Sequence, residues 1–384
     1  MESDERYMWM ALDLARQGLG KTNPNPMVGA VLVKDGEVVG TGFHAKAGLA
    51  HAEIIALQDA CEKARGATLF VNLEPCSHQG RTPPCVDAII EGGIRKVVMA
   101  MKDPNPLVSG QGIKKLEKAG IKVKTGVLEE KALRLNEVFI KYITTRLPFV
   151  VVKSAMTLDG KIATQQGESQ WISGEKSREL VHKLRSLSDG IMVGINTVLH
   201  DNPRLTVRLG KEEQKAAQPL RIIVDSQGRL PLDSNVSTGY NGSKTLLATT
   251  DAMPKDKKEA LMVQGVDVLT LPDRDGRVDL AQLMIELGKR EISALLVEGG
   301  GALNYALLES NLIDKVYLFL APLLLGGENA PTPFEGEGVN KLTEAWVVEN
   351  VELKQLDNDL LVIGYPARRD ADVHGNRGGT RGAG

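Results

Sequence analysis

The sequence predicts an α/β protein, with a three-layer α/β/α domain over residues 1–146 and a second α/β domain over residues 147–366. Two observations carry this reading. Short apolar, β-branched runs alternate with stretches of helical period along nearly the whole chain. Thr144-Thr145-Arg146-Leu147-Pro148 then interrupts the alternation, and a fresh strand starts at Phe149.

In order, Glu5 to Gly18 places Tyr7, Met8, Met10, Ala11, Leu14 and Ala15 at helical spacing and stops at glycine. Lys21-Thr22-Asn23-Pro24-Asn25-Pro26 is a shaped loop, because each proline bars its predecessor from helix. Met27 to Val33 and Glu37 to Gly40 form a hairpin about Asp35-Gly36. His51 to Ala64 is a helix with His51 and Glu53 in its first turn. Thr68 to Leu73 is a buried strand that delivers Glu74-Pro75-Cys76, and Pro84 opens the next helix. Strand 96–101, helix 113–119, strand 121–124 and helix 129–142 complete the first domain. The second domain has strands at 149–154, 191–193, 221–224, 245–248, 266–271, 294–297, 316–320 and 360–364, and helices at 175–186, 279–289 and 302–310. Residues 367–384 hold glycines and charges with few bulky apolar side chains and read as a disordered tail.

The chain has 384 residues, with 47 basic and 49 acidic side chains and a formal charge of −2, which gives no electrostatic footprint for nucleic acid. Its apolar runs are too short or too broken to cross a membrane. The acidic start Met1-Glu2-Ser3-Asp4-Glu5-Arg6 lacks the layout of a secretory signal. Two of three cysteines have a metal to serve, as follows; Cys61, in a helical pattern, reads as a small packing residue. A reducing, cytoplasmic setting is expected.

Chemistry concentrates between His51 and Cys85. His51-Ala52-Glu53 is followed by Glu74-Pro75-Cys76 and, eight residues after Cys76, by Cys85. One imidazole and two thiols suit tetrahedral Zn2+ with its fourth position left for water. Glu53 is a carboxylate beside the metal, placed to shuttle protons. His-x-Glu with Pro-Cys is the general pattern of zinc nucleobase deaminases, whose cysteines usually stand two residues apart. The longer loop here still closes on one ion, since closure entropy rises slowly with length. His78 reads as a loop or substrate-side residue; as a fourth ligand it would instead close the site.

The stretch His51-Ala52-Glu53 with Pro75-Cys76-Ser77-His78-Gln79-Gly80-Arg81-Thr82-Pro83-Pro84-Cys85 resembles the pyrimidine deaminase of riboflavin biosynthesis. In the second half no Rossmann fingerprint occurs. Leu296-Val297-Glu298-Gly299-Gly300-Gly301 reads as a strand end, a turn and a helix start whose amides would accept phosphate, although alone such glycines equally make a turn. Lys153-Ser154-Ala155-Met156-Thr157-Leu158-Asp159-Gly160-Lys161, Gly167-Glu168-Ser169-Gln170-Trp171, Gly194-Ile195-Asn196-Thr197, Asp201-Asn202-Pro203-Arg204-Leu205-Thr206-Val207-Arg208 and Val224-Asp225-Ser226 resemble the reductase half of the bifunctional deaminase/reductase family.

The resemblance covers residues 5 to 365. It implies a cytidine-deaminase-like domain followed by a dihydrofolate-reductase-like α/β domain. It further implies deamination of 2,5-diamino-6-(5-phosphoribosylamino)pyrimidin-4-one, then NADPH reduction of the ribosyl side chain of 5-amino-6-(5-phosphoribosylamino)uracil to ribityl. The family's zinc ligands fall on His51, Cys76 and Cys85, and its proton-transfer residue on Glu53. Asn25 is a candidate for the ring, and His44 and Arg81 for the substrate phosphate; each equally reads as a turn residue or solvated side chain. Ala155, Trp171, Thr197, Asp201, Ser226, Gly299, Gly300 and Gly301 fall around NADPH. Ser169, Arg185, Leu205, Arg208 and Glu298 fall around the phosphoribosyl substrate, where the two arginines suit phosphate. Singly, an arginine is more often a solvated charge and Trp171 a core residue. Lys153 and Glu298 are candidates to move a proton during ring opening. The resemblance also implies a homo-oligomer built through the reductase domains, acting on small molecules. The competing reading is a nucleic-acid base deaminase with a non-catalytic C-terminal binding module, against which the charge balance and the long cysteine loop both stand.

Overall fold

The computed structural model describes residues 3–77, 83–106, 108–208, 218–239 and 242–369. By its own contacts the chain divides into two compact units, Met1–Phe149 with Ile285–Ala294, and Val150–Met284 with Leu295 onward.

The first unit is built on a five-stranded sheet of β1 (Gly29–Lys34), β2 (Glu37–Phe43), β3 (Thr68–Leu73), β4 (Lys96–Met101) and β5 (Lys122–Lys124), in the order β2-β1-β3-β4-β5. The β1 strand is antiparallel to both neighbours, whereas β3, β4 and β5 run parallel. Glycine shows why helices cover both faces. A Cβ on Gly29 would stand 2.1 Å from Ala11 O in α1 (Ser3–Arg16), and one on Gly42 would stand 2.3 Å from Ala52 O in α2 (Ala52–Ala60). Gly42 pairs with Ala30, the neighbour of Gly29, so the two helices lie on opposite faces. Side-chain-free backbone lets each approach closely. Leu12, Leu32, Leu69, Val71, Val98 and Met99 are fully buried between the layers.

Helix α3 (Cys85–Glu91) and α4 (Gln111–Lys118) follow α2. The helix expected over 129–142 is broken at Asn136 into α5 (Glu129–Leu135) and α6 (Glu137–Thr145). The break has a cause: the Asn136 amide accepts from Met27 N at 2.8 Å and donates to Met27 O at 3.0 Å. Asn72 completes this clamp, donating to Met27 O at 2.9 Å and accepting from Gly29 N at 2.8 Å. Two further expectations need correction. His51 is the N-cap of α2, with extended φ −74° and ψ 158°, and lies just before its first turn. Cys61 is exposed, at φ 48°, where the chain leaves α2 for a 3-10 turn, so it does not pack in the core.

In the second unit the labels continue with β6 (Phe149–Thr157), α7 (Glu175–Ser186), β7 (Gly190–Gly194), α8 (Ile195–Asp201), β8 (Leu220–Val224) and β9 (Thr245–Thr249). Then come α9 (Lys255–Val263), β10 (Asp267–Thr270), a small hairpin of β11 (Asp273–Arg274) and β12 (Arg277–Val278), and α10 (Leu280–Lys289), which belongs to the second unit up to Met284 and to the first from Ile285. Last are β13 (Ala294–Val297), α11 (Gly301–Glu309), β14 (Lys315–Ala321), β15 (Trp346–Leu356) and β16 (Asp359–Arg368). The nine-stranded sheet has the order β10-β9-β8-β7-β13-β6-β14-β16-β15. It is parallel in the β10-β9-β8-β7-β13 run and from β6 to β14, and its last two pairings are antiparallel. Ile191, Val193, Ile223, Leu247 and Leu296 fill its core.

The sequence missed α8, α9, β11, β12 and β15. Only Leu261 of α9 is buried, and every residue of β15 between its ends is exposed, so neither element carries a buried apolar stripe to read. Of the expected tail, Ala367 and Arg368 close β16 by pairing with Val347 and Trp346; from residue 370 on it lies outside the described residues. Among the described residues no helix is long and apolar enough to cross a membrane.

Candidate active sites

In the first unit β3 ends at Leu73, and the chain turns through Glu74 and Pro75 to Cys76. Glu74, buried, holds this turn: its carboxylate accepts from Asp103 N at 3.1 Å, Gly110 N at 3.0 Å and Ile113 N at 3.2 Å. Cys85 begins α3, and Val86 N bonds back to Cys76 O at 3.2 Å, which brings the two thiols together across their long loop. His51 Nδ1 lies 3.1 Å from Cys85 Sγ and 3.6 Å from Cys76 Sγ, and the three donor atoms all fall within 4.8 Å of one another.

The thiols share protons unequally. The hydrogen bond from the Cys85 side chain, with His51 assisting, holds Cys76 down at about 4, while the same bond and burial push Cys85 up. The bond to Cys76 raises His51. A nitrogen and two convergent sulfurs, one already favouring the thiolate, form a donor set that fits zinc. Glu53 is only 3% exposed, and burial pushes its carboxyl up to about 7.

His44 is buried, with Nδ1 3.1 Å from Ala50 O and Nε2 3.3 Å from Asn25 Nδ2, and its ring meets His51 edge-on at 5.5 Å. Asn25 and His44 therefore form a pair next to the ligands. Arg81 and His78 lie outside the described residues.

The second unit has a cavity of about 1480 Å³, and every residue the sequence put around the cofactor or phosphoribosyl substrate lines it. Ala155 near the end of β6, Gly194 at the end of β7, Ser226 two residues past β8 and Glu298 just past β13 all line it, as open α/β sheets place ligands at strand ends. A Cβ on Gly300, the N-cap of α11, would have only Thr197 Oγ1 near it, at 4.0 Å. That open backbone at a helix start fits a cofactor diphosphate. Ser169 Oγ donates to Asp201 Oδ1 at 3.0 Å, joining an expected substrate residue to an expected cofactor residue. Trp171 is 67% exposed, with the Arg178 guanidinium 4.9 Å from its ring centroid, so it is no core residue.

The arginines differ. Arg185 spends Nε and Nη2 on Glu298 and Nη1 on Thr206 O at 3.1 Å, whereas Arg208 is exposed, with Nη2 3.5 Å from His182 Nε2. Burial alone would raise Glu298, but Arg185 outweighs it and holds the carboxylate at about 2. Burial lowers the Lys153 ammonium, with Glu298 opposing. His182, held near 4 by burial and by the charges of Arg185 and Arg208, also lines this wall. Sequence reasoning missed it; its place three residues before Arg185, on the same helix face, was the available signal.

Residues 1–101 match the family described as the cytidine and deoxycytidylate deaminase zinc-binding region, and residues 148–362 match the RibD C-terminal domain. The chain is 46% identical to riboflavin biosynthesis protein RibD of Actinobacillus pleuropneumoniae, over 94% of each protein. It is 42% identical to that of Escherichia coli, over 93% of this chain and 98% of the other. Among solved structures, Acinetobacter baumannii RibD superposes with TM-score 0.85 at 38% identity, covering 96% of this chain and 99% of the other. A diaminohydroxyphosphoribosylaminopyrimidine deaminase/5-amino-6-(5-phosphoribosylamino)uracil reductase from Thermotoga maritima superposes with TM-score 0.81 at 39% identity, covering 95% and 99%. The chain belongs to the RibD family of bifunctional riboflavin-biosynthesis proteins.

Proposed function

We propose that this bifunctional deaminase and reductase acts first on 2,5-diamino-6-(5-phosphoribosylamino)pyrimidin-4-one, exchanging its ring amino group for the oxygen of water and releasing ammonia. It then reduces the ribosyl side chain of 5-amino-6-(5-phosphoribosylamino)uracil to ribityl. The observation that carries this reading is the convergence of His51, Cys76 and Cys85 beside a buried carboxylate, Glu53, that is outside the ligand cluster.

His51, Cys76 and Cys85 would hold a zinc ion, which when bound would lower the pKa of a water at its fourth position. Glu53 takes one proton from the attacking water and passes it to the ring nitrogen, then takes the second from the new hydroxyl and passes it to the amine, which leaves as ammonia while the carbonyl forms. Asn25, tied to His44 beside the ligands, orients the ring, and His44 serves the substrate phosphate. The role of Arg81 toward the substrate phosphate rests on the resemblance alone.

The large cavity would hold NADPH, which when bound would supply the hydride for the second reaction. Gly299, Gly300 and Gly301 present backbone to its diphosphate, and Ala155, Trp171, Thr197, Asp201 and Ser226 shape the rest of its bed. Ser169, Leu205 and Arg208 hold the phosphoribosyl group. Arg185 keeps Glu298 ionised and fixed in direction, and Glu298 with Lys153 moves the proton as the aminoglycoside opens to an imine. The main service of the cavity is alignment and exclusion of water.

Near-neutral charge supports a small-molecule enzyme that needs no nucleic acid. β15 is an edge strand exposing Val347, Val348, Val351 and Leu353, which supports a homo-oligomer assembled through reductase domains. A sedimentation profile of monomer alone would refute that assembly. Thiol ligands that must stay reduced support a cytoplasmic setting.

The test supplies the diaminopyrimidine nucleotide together with NADPH. Ammonia release accompanied by loss of nicotinamide absorbance is expected; ammonia without that loss would overturn the reductase half, and neither signal would overturn both.

A further inference from the structure

We infer that Asp359, outside every motif and outside the cavity lining, is a positioning residue for the reductase site. The inference rests on reading the large cavity as that site.

One wall of the cavity is a continuous piece of chain, the loop from Ser169 to Ser173 followed by α7, which carries His182 and Arg185. The junction between loop and helix is Gly174, the N-cap of α7, in extended backbone at φ −68° and ψ 176°. A glycine N-cap has no side chain to satisfy the open amides of a helix start. The missing acceptor comes from far along the sequence. Asp359 Oδ2 accepts from Gly174 N at 2.7 Å and from Ser177 Oγ at 2.5 Å. This reproduces the capping-box bond in which the N-cap amide donates to an acid at N3, with the acid here borrowed from a strand and held by the hydroxyl of the N3 residue, Ser177. A carboxylate there also answers the positive end of the helix dipole.

The geometry explains why the tether is firm. Asp359 is 3% exposed and Ser177 is fully buried. Asp359 opens β16, which pairs over Leu360–Gly364 with β14, itself parallel to the strand bearing Lys153 and Ala155, while Asp359 pairs with Leu356 of β15. A buried carboxylate fixed in the sheet thus sets where the wall begins. On the loop side Ser169 Oγ donates to Asp201 Oδ1 at 3.0 Å, and Arg178 Nη1 donates to Ser173 O at 2.6 Å. Trp171, between them, is mostly exposed. Loss of the Asp359 acceptor frees Gly174 and shifts the adjoining loop most; Arg185, further along α7 and paired with Glu298, moves less.

Asp359→Ala and Asp359→Asn in the full chain test this, with Ser177→Ala as a milder variant that keeps the Gly174 bond. KM and kcat for NADPH and for the deaminated nucleotide are measured alongside ammonia release and thermal unfolding. Asp359→Ala is expected to raise both reductase KM values about tenfold with a smaller fall in kcat, since small misplacements of positioning groups are costly. Ammonia release stays at the wild-type rate. Asp359→Asn, whose amide oxygen still accepts from Gly174, recovers most of the loss, and Ser177→Ala shows a weaker form of it. Unchanged KM values in Asp359→Ala would overturn the inference. So would an Asp359→Asn protein that is folded and as impaired as the alanine variant, or, should the alanine variant not fold, unchanged KM values in both milder variants. Wild-type protein that fails to oxidise NADPH with the deaminated nucleotide would sink the reductase reading itself, and the inference with it.

Discussion

Arg185 and Glu298 meet as a two-pronged ion pair, Nε to Oε1 at 2.6 Å and Nη2 to Oε2 at 2.8 Å, with only 13% and 10% of their side chains exposed. The planar guanidinium fork matches the carboxylate, which fixes the direction of Glu298 as well as its charge. Removing one partner from a buried pair leaves a charge without compensation. Arg185→Ala is therefore expected to destabilise the reductase unit by about 3–5 kcal/mol and to abolish NADPH oxidation. Arg185→Met combined with Glu298→Leu recovers most of the stability and none of the reductase activity. Denaturant unfolding and NADPH assays on the same samples check both statements; full reductase activity in the double variant would remove Glu298 from the chemistry.

Acid should weaken the second unit in two windows. Glu298 falls from an ordinary 4.5 to about 2, so its contribution is whole above pH 4.5 and is lost as pH drops toward 2. His182 falls from 6.5 to about 4 because burial, Arg185 and Arg208 disfavour its charged form. Its folded form binds a proton less readily than its unfolded form, so stability is whole above pH 6.5 and erodes between 6.5 and 4. His182→Gln is expected to flatten the upper window while leaving the lower one. Unfolding free energy measured from pH 7 to pH 3 reads this directly, and an unaltered slope between 6.5 and 4 would contradict it.

Glu53→Gln removes the proton carrier and keeps the ligand set. Ammonia release should fall by about 10²–10⁴-fold, the usual contribution of a placed acid–base group. Elemental analysis should still find stoichiometric zinc, and reduction of the deaminated nucleotide should proceed unchanged. Chelation is the mirror experiment: stripping the ion stops ammonia release and spares NADPH oxidation. Loss of zinc from Glu53→Gln would recast that residue as a ligand.

The first site was legible because its chemistry is local: His51 with Glu53, and Cys76 after Glu74-Pro75, are short patterns fixed to a helix start and a strand end. Strands Thr68–Leu73 and Lys96–Met101 were legible as buried runs bounded by turns. Long-range pairing was not. Nothing near Arg185 announces that its fork is filled by a carboxylate 113 residues away, and β15, exposed along its length, offers no apolar alternation. Asn136 sits in an unbroken helical pattern, and only the distant Met27 backbone makes it a break.

That break yields the last prediction. Asn136 and Asn72 grip Met27 from two sides, and Met27 ends the loop whose Asn25 reaches His44. His44 N in turn bonds to Val28 O at 2.9 Å, so both members of the pair hang on the clamped segment. Asn136→Ala leaves the Met27 amide without its acceptor in a partly buried site, costing the first unit about 1 kcal/mol. Because Asn72 still holds the Met27 carbonyl, the unit should fold. The substrate-facing loop then samples more positions, so KM for deamination rises while zinc content and NADPH oxidation hold. Asn136→Asp keeps an oxygen for the Met27 amide and should recover part of the loss. A variant that unfolds more easily yet deaminates with unchanged KM would show that the clamp serves stability alone and that Asn25 needs no such support.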